Sequence, residues 1–444
     1  MSDLKGFPYF EVEFSKKGEV HDQAQVTSLT DFLAQGGTSD LFVISHGWNN
    51  DMGDARNLYS RFFDCVRQVL DSQAVPGVSS RKFAILAVLW PSKKFAEQDL
   101  IPSGAAGAES PITNALLKQE LEDLKGTFDD PNADAALEKA KSLVAKLEDS
   151  PKARKEFADL LRSVLPAETS ADVDSSSDFR KLPGDEIINR LGKPVPIAIP
   201  KPVAAGGGAA IHEGAGGVSA GGAAGLGQFF SGIKAGALNL LNLTTFYQMK
   251  ERAGLVGSTG VNGVLATIRA QNPNIKFHLI GHSFGGRLVT AAAAGAEGQS
   301  AINVNTMTLL QAAFSHYGFS EHYDGKNDGF FRKVVTGNRV SGPTLISFTQ
   351  NDKAVGKAYP LASLIAGQVA ADLGDKNDKF GGIGRNGAQK TPEASDGTLQ
   401  GVGSAYQLDP GKLYNLNADA IITGHSDICH NEVAYALLTS VATT

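Results

Sequence analysis

The chain has little sulfur, no long apolar run and no surplus of positive charge. Two of its 444 residues are cysteine, Cys65 and Cys429, in patterns that suggest no metal site. They pair only if the fold joins them, so a reducing compartment is the expectation. No run of about eighteen strongly apolar residues occurs, so an ordinary membrane span is not expected. The opening Met1-Ser2-Asp3-Leu4-Lys5-Gly6 lacks the apolar core of a secretory signal, which points to the cytoplasm, although signal-independent export would leave the same sequence. A net charge of −6 without a Lys/Arg cluster gives no attraction to nucleic acid. What remains has ordinary globular composition and length for one large domain with an insertion, or for two domains.

The first ninety residues alternate strands and helices. Tyr9 to Phe14 reads as an edge strand, Leu41-Phe42-Val43-Ile44-Ser45 as a buried one, and Lys82 to Trp90 as a third, stopped by Pro91. Helices are expected over Val26 to Ala34 and Ala55 to Leu70, the latter carrying apolar residues at helical spacing. Single helices between strands imply a parallel sheet with right-handed crossovers. This rhythm breaks over 92–246. Pro111 to Leu165 predicts two or three helices, interrupted near Pro131 and Pro151. Beyond them come an acidic, Ser-rich loop, four prolines between Lys193 and Val203, a Gly/Ala run over Ala204 to Gly227, and an apolar stretch from Gln228 to Leu243. From residue 247 the rhythm resumes, with a helix over Tyr247 to Ala270 weakened by four glycines. Strands are expected at Lys276 to Ile280, Val304 to Leu310, Thr344 to Phe348 and Leu413 to Ile422, a long loop over Asp372 to Gly403, and a last helix at Asn431 to Ala442.

Gly281-His282-Ser283-Phe284-Gly285 lies between an apolar strand and an Ala-rich helix, the context of a nucleophile elbow. The glycines permit a sharp turn that lifts the Ser283 hydroxyl out of the sheet, and the helix aims its N-terminal N–H groups at developing charge. A serine nucleophile needs a base, and the base an orienting acid, in the chain order Ser, Asp, His. Asp352 comes after the strand Thr344 to Phe348, at the end of a strand where open α/β sheets collect their sites; Asp328 is the rival. His425 lies between the last apolar strand and the last helix, with His430 the alternative. His316 and His322 precede Asp352 and break the order, while His278 and His282 read as packing and turn residues. Two N–H donors are required for an oxyanion. Phe284 supplies one, and His46-Gly47-Trp48 the other through the Trp48 amide, with His46 structural.

Val43-Ile44-Ser45-His46-Gly47-Trp48, Leu279-Ile280-Gly281-His282-Ser283-Phe284-Gly285-Gly286 and the contexts of Asp352 and His425 together resemble the α/β-hydrolase superfamily, particularly its lipase- and esterase-like serine hydrolases. The resemblance covers the two flanking pieces, 1–91 and 247–444, and implies a mostly parallel sheet flanked by helices, with 92–246 as a helical and Gly/Ala-rich cap. It further implies hydrolysis of a small-molecule or lipid ester through an acyl-enzyme, without a metal or organic cofactor. Phospholipase and amidase chemistry share the same machinery. In the cap, Phe229, Phe230, Ile233, Leu238, Leu240, Leu241 and Leu243 suit either a lid that opens at a lipid surface or an ordinary helix packed on the core. The Gly/Ala run adds a reading of another class, a segment that enters a membrane or a partner.

Overall fold

The computed structural model describes residues 2–48, 50–92, 113–166, 177–193, 232–298, 302–352, 354–355, 376 and 378–444. One sheet of nine strands organises the chain: β1 (Ser2–Leu4), β2 (Phe7–Glu13), β3 (Asp40–Ser45), β4 (Phe83–Leu89), β5 (Lys276–His282), β6 (Thr306–Leu310), β7 (Thr344–Phe348), β8 (Ala394–Thr398) and β9 (Leu413–Asn417). Their spatial order is β1-β2-β4-β3-β5-β6-β7-β9-β8, and every neighbouring pair is parallel except β1 with β2. The fold is therefore α/β with a mostly parallel sheet. The strand at Tyr9 to Phe14, expected at an edge, lies one place inside it, because β1 pairs outside β2. The expected loop 372–403 contains β8, whose side chains are mostly exposed and carry no apolar alternation to announce a strand.

Alternation on the central strands builds a core on each face. Leu41 and Val43 of β3 point to one side with Leu86, Val88, Phe277 and Leu279; Phe42 and Ile44 point to the other with Ile85 and Ile280. On the first face lie α1 (Gln23–Ala34), through Val26, Leu29 and Leu33, and α10 (Phe284–Ala294), whose glycines and alanines let it sit close to the sheet. Helix α2 (Met52–Asp71) covers the second face with Tyr59, Phe62, Phe63 and Val66, and the C-terminal helix Asn431–Ala442 joins it there. A reciprocal capping box between Asp51 and Asp54 fixes the start of α2.

The insertion is helical where it is described: α3 (Asn114–Asp123), α4 (Ala133–Leu143), α5 (Pro151–Ser163), α6 (Ser177–Lys181) and α7 (Gly184–Leu191). The expected breaks at Pro131 and Pro151 fall at helix starts, and Ser150 caps α5 by accepting from the Ala153 amide. The helix expected from Tyr247 is instead three segments. Helix α8 (Ile233–Leu255) crosses residue 246 without a break, a π-helical turn spans Val256–Val261, and α9 (Asn262–Gln271) completes the run. The π turn brings Gly257 so close to α10 that a Cβ there would meet the Leu288 carbonyl at 2.1 Å. Helix α8 packs on α3, α5 and α7 and also on α10, so insertion and sheet share one apolar core. Leu238, Leu240, Leu241 and Leu243 are buried in it. Arg252 pins the joint, donating to the Pro91 carbonyl at 2.9 Å, the Thr127 carbonyl at 2.5 Å and Asp129 at 3.0 Å. The Gly/Ala run, Phe229 and Phe230 lie outside the described residues, among which no helix is long and apolar enough to cross a membrane. Cys65 and Cys429 are both free.

Candidate active site

Strand order reverses between β3 and β5. From β3 the chain moves outward to β4, and from β5 it moves the other way to β6 and β7. The connections from β3 and β5 therefore run to opposite sides of the sheet, the position where open α/β sheets collect their sites, while the strands themselves pair, Ser45 opposite Gly281. Ser283 is the residue between β5 and α10, with φ 57° and ψ −126°. Such a backbone costs roughly 1–3 kcal/mol for a residue with a Cβ. It is held by three bonds. The Ser283 amide donates to the Leu310 carbonyl at 3.1 Å, and its carbonyl accepts from Gly286 and Ala313 at 2.9 Å each. The flanking glycines are sterically required: a Cβ on Gly281 would lie 2.4 Å from the Gly285 carbonyl, and one on Gly285 2.2 Å from the Ser45 carbonyl.

The loop after β3 closes over this serine. A Cβ on Gly47 would lie 2.5 Å from the Ser283 Cβ and 3.0 Å from its Oγ, so only backbone fits there. Among the described residues, the amides of Trp48 and Phe284 donate to no backbone carbonyl. His46 holds the loop from below. Its own amide donates to the Tyr59 hydroxyl at 2.8 Å, its ring stacks on Trp90, and the Trp90 indole donates to its carbonyl at 3.0 Å. The Trp90 amide donates to Nε2 at 3.3 Å, which leaves the proton on Nδ1 for the Gly47 carbonyl at 2.9 Å. Burial, partly offset by the Gly47 bond, pushes the His46 pKa down to about 4, so it is neutral and structural.

Asp352 and His425 come from the loops after β7 and β9, adjacent strands that pair through Phe348 and Asn417. His425 Nδ1 bonds Asp352 Oδ2 at 2.8 Å, with Asp352 fully buried and the His425 side chain 20% exposed. The second carboxylate oxygen accepts from the Val355 amide at 2.9 Å. Burial disfavours a charged His425, but the carboxylate outweighs it and raises the imidazole pKa above its usual value of 6.5. With Nδ1 given to the acid, Nε2 is left to act as a base. The rivals are engaged elsewhere: His430 bonds Asp427 at 2.8 Å, and Asp328 pairs with His322 at 3.1 Å on the exposed surface.

Three residues that support this arrangement were not singled out for it by the sequence. Asp419 clamps the two loops, accepting from Thr349 Oγ1 at 2.8 Å and the Gln350 amide at 2.7 Å, while Asn351 donates to the Asp419 and Ile422 carbonyls. Asp419 lies inside the strand expected over Leu413 to Ile422, which instead ends at Asn417, and the polar Asn417 and Asp419 were the only sign of that end. Gln311 comes directly after β6 at φ 41°. Of the described non-glycine residues with positive φ, it and Ser283 alone are buried, and they sit at the ends of adjacent strands. His282, read as a turn residue, bonds the His425 carbonyl through Nε2 at 2.9 Å with the two rings 4.9 Å apart, and so joins the elbow to the histidine loop. Ser283, Gly47, Trp48, Phe284, Asp352 and His425 all lie at the carboxyl ends of β3, β5, β7 and β9. Comparison of the chain with family models, with curated proteins and with solved structures finds no match.

Proposed function

We propose that the protein is a serine hydrolase of the α/β-hydrolase type that cleaves carboxylic esters through an acyl-enzyme. The observation that carries this reading is the 2.8 Å bond between His425 and a fully buried Asp352, set beside a serine held at φ 57° under a glycine backbone. The strand order, with the serine after β5 beside the reversal and the acid and histidine after β7 and β9 on the same side, supports it. In this reading Ser283 Oγ attacks the ester carbonyl and its proton passes to His425 Nε2. Asp352 stabilises the resulting imidazolium. The amides of Trp48 and Phe284 bind the oxyanion, each such donor being worth about 10²–10³ in rate. His425 returns the proton to the leaving alcohol; water then attacks the acyl-serine by the same route, releasing the acid and restoring Ser283.

Hydrolysis of p-nitrophenyl esters of rising acyl length, with and without a lipid surface, tests the reading beside Ser283→Ala. The expected result is turnover that falls roughly 10³–10⁶-fold in the variant, together with a single fluorophosphonate adduct on Ser283 in intact mass. Turnover that survives Ser283→Ala sinks it. Preference for long chains at a surface assigns a lipase, and short chains in solution an esterase.

A further inference from the structure

We propose that His282 is a positioning residue for the general base, its Nε2–H holding the His425 backbone at the distance the nucleophile requires; this rests on the serine-hydrolase reading above. A backbone carbonyl only accepts, so the 2.9 Å bond to the His425 oxygen places the His282 proton on Nε2. The bond matters because it reaches His425 itself. Asp427 closes the turn around it, accepting from the Thr423 amide at 2.9 Å and the Thr423 hydroxyl at 2.7 Å and donating its own amide to the Gly424 carbonyl at 3.3 Å, but none of these bonds touches His425. Among the described residues, neither the His425 amide nor its carbonyl takes part in any backbone–backbone bond, and the carbonyl's partner is His282. The loop around it has open space, with nothing within 4 Å of where a Gly424 Cβ would stand. Asp352 fixes the Nδ1 edge of the imidazole at a single point.

His282 is well placed to supply the second fixed point. It is the last residue of β5, paired with Leu310 of β6, and the next residue is the nucleophile. Nucleophile and base are thus referenced to one short rigid span: one peptide bond on one side and one hydrogen bond on the other. The residue is 5% exposed, and burial, then the neighbouring His425, push its pKa down to about 3. It therefore stays uncharged while His425 gains and loses its proton, and does not compete for it. Among the described residues its Nδ1 has no partner, and the bond to His425 is the ring's one hydrogen bond there.

The test compares wild type with His282→Gln, His282→Asn and His282→Leu. A Gln amide nitrogen reaches about as far as imidazole Nε2, whereas Asn stops short and Leu has no donor. A misplacement of about 1 Å costs on the order of 10² in rate. The expected result is Gln within about threefold of wild type, and Asn and Leu down by about 10² in kcat with KM held within twofold. The fluorophosphonate inactivation rate should fall in parallel. Equal kcat for Gln and Asn overturns the proposal, as does a loss confined to KM. If Leu fails to fold, the Gln–Asn pair, alike in polarity, decides alone. Wild type that neither turns over nor labels at Ser283 removes the serine-hydrolase reading and this one with it; active wild type with indistinguishable variants removes this one only.

Discussion

Two histidine–aspartate pairs sit at opposite ends of the same sheet, and their contrast separates the pair proposed as catalytic from one that only braces the fold. At the carboxyl ends of the strands, His425 meets Asp352 at 2.8 Å; at the amino end of β3, His278 meets Asp40 at 2.9 Å. The lower pair even has a hydroxyl, since His278 Nδ1 bonds Thr306 Oγ1 at 2.9 Å. With Nε2–H donated to the carboxylate, Nδ1 accepts the Thr306 proton, a wiring equivalent to Ser–His–Asp with the ring nitrogens exchanged. Yet its electrostatics run the other way. Burial lowers the His278 pKa, the Asp40 bond does not make up the difference, and the charges of Arg81 and Lys276 lower it further. Asp40 also shares its charge with Arg81 at 2.9 Å and accepts from Ser39 at 2.6 Å. His278 is fully enclosed, whereas a fifth of the His425 side chain meets solvent. A His–Asp contact alone thus does not distinguish the two pairs; solvent access, and the charge that Asp40 shares with Arg81, do.

The largest effect expected from this contrast is at the hydroxyls. Ser283→Ala should abolish esterase turnover with little change in the urea midpoint. Thr306→Val should leave turnover per folded molecule intact and cost about 1–3 kcal/mol, by stranding the buried His278 Nδ1. Thr306→Val that lost activity at full stability would dissolve the distinction. The acids come next. In Asp352→Asn, the oxygen that accepts from Val355 keeps the amide's carbonyl there and turns its NH₂ toward His425. That forces the His425 proton onto Nε2, the wrong nitrogen for a base, and kcat should fall about 10⁴-fold. Asp40→Asn should instead cost roughly 3–5 kcal/mol, read from urea unfolding, because Arg81 and His278 lose a buried partner. Gly47→Ala sharpens the comparison further. A methyl 2.5 Å from the Ser283 Cβ must push the oxyanion loop away, at an expected loss of about 10²–10³ in kcat.

Much of the upper site was legible because it depends on short, strict local rules. Gly281 and Gly285 flank the serine since any Cβ there strikes backbone, and Gly47 is required for the same reason. The acid and the histidine each occupy a loop leaving an apolar strand, a place that the strand pattern itself marks. Residues that act through tertiary contact left no such trace. His282 and His278 are both histidines in one strand, both buried, and nothing in the sequence distinguishes the one that reaches His425 from the one that reaches Asp40. Strand β8 was invisible because its side chains lie on an exposed edge, and β1 because three residues carry no period. The passage of α8 across residue 246 left no trace because Gly236, which reads as a helix breaker, is instead where α8 packs closely on the Ile188 carbonyl of α7.

The smallest effect is in the pH dependence of stability, where the two classes of histidine have opposite signs. His425, with a folded pKa above 6.5, contributes stability that is complete below the unfolded value of 6.5 and is lost as pH rises through the raised one. Catalysis needs that same proton gone, so kcat/KM should rise with pH on a limb whose midpoint lies above 6.5, and Asp352→Asn should move the residual limb down. His46, His282 and His278 have folded values below 6.5, the first two at about 4 and about 3. Between those values and 6.5 the unfolded chain binds the extra protons, so their contribution is complete above 6.5 and is lost as pH falls toward 4. Each can add at most about 1.4 kcal/mol per pH unit to the slope. His282→Gln removes one of them without removing the donor. The difference in unfolding free energy between variant and wild type should therefore tilt in the variant's favour from pH 6.5 to 5, where carboxylates common to both cancel. A flat difference would mean that His282 takes up its proton over the same pH range folded as unfolded, and a ring protonated beside His425 below pH 6.5 would lower the base's pKa rather than leave it to Asp352.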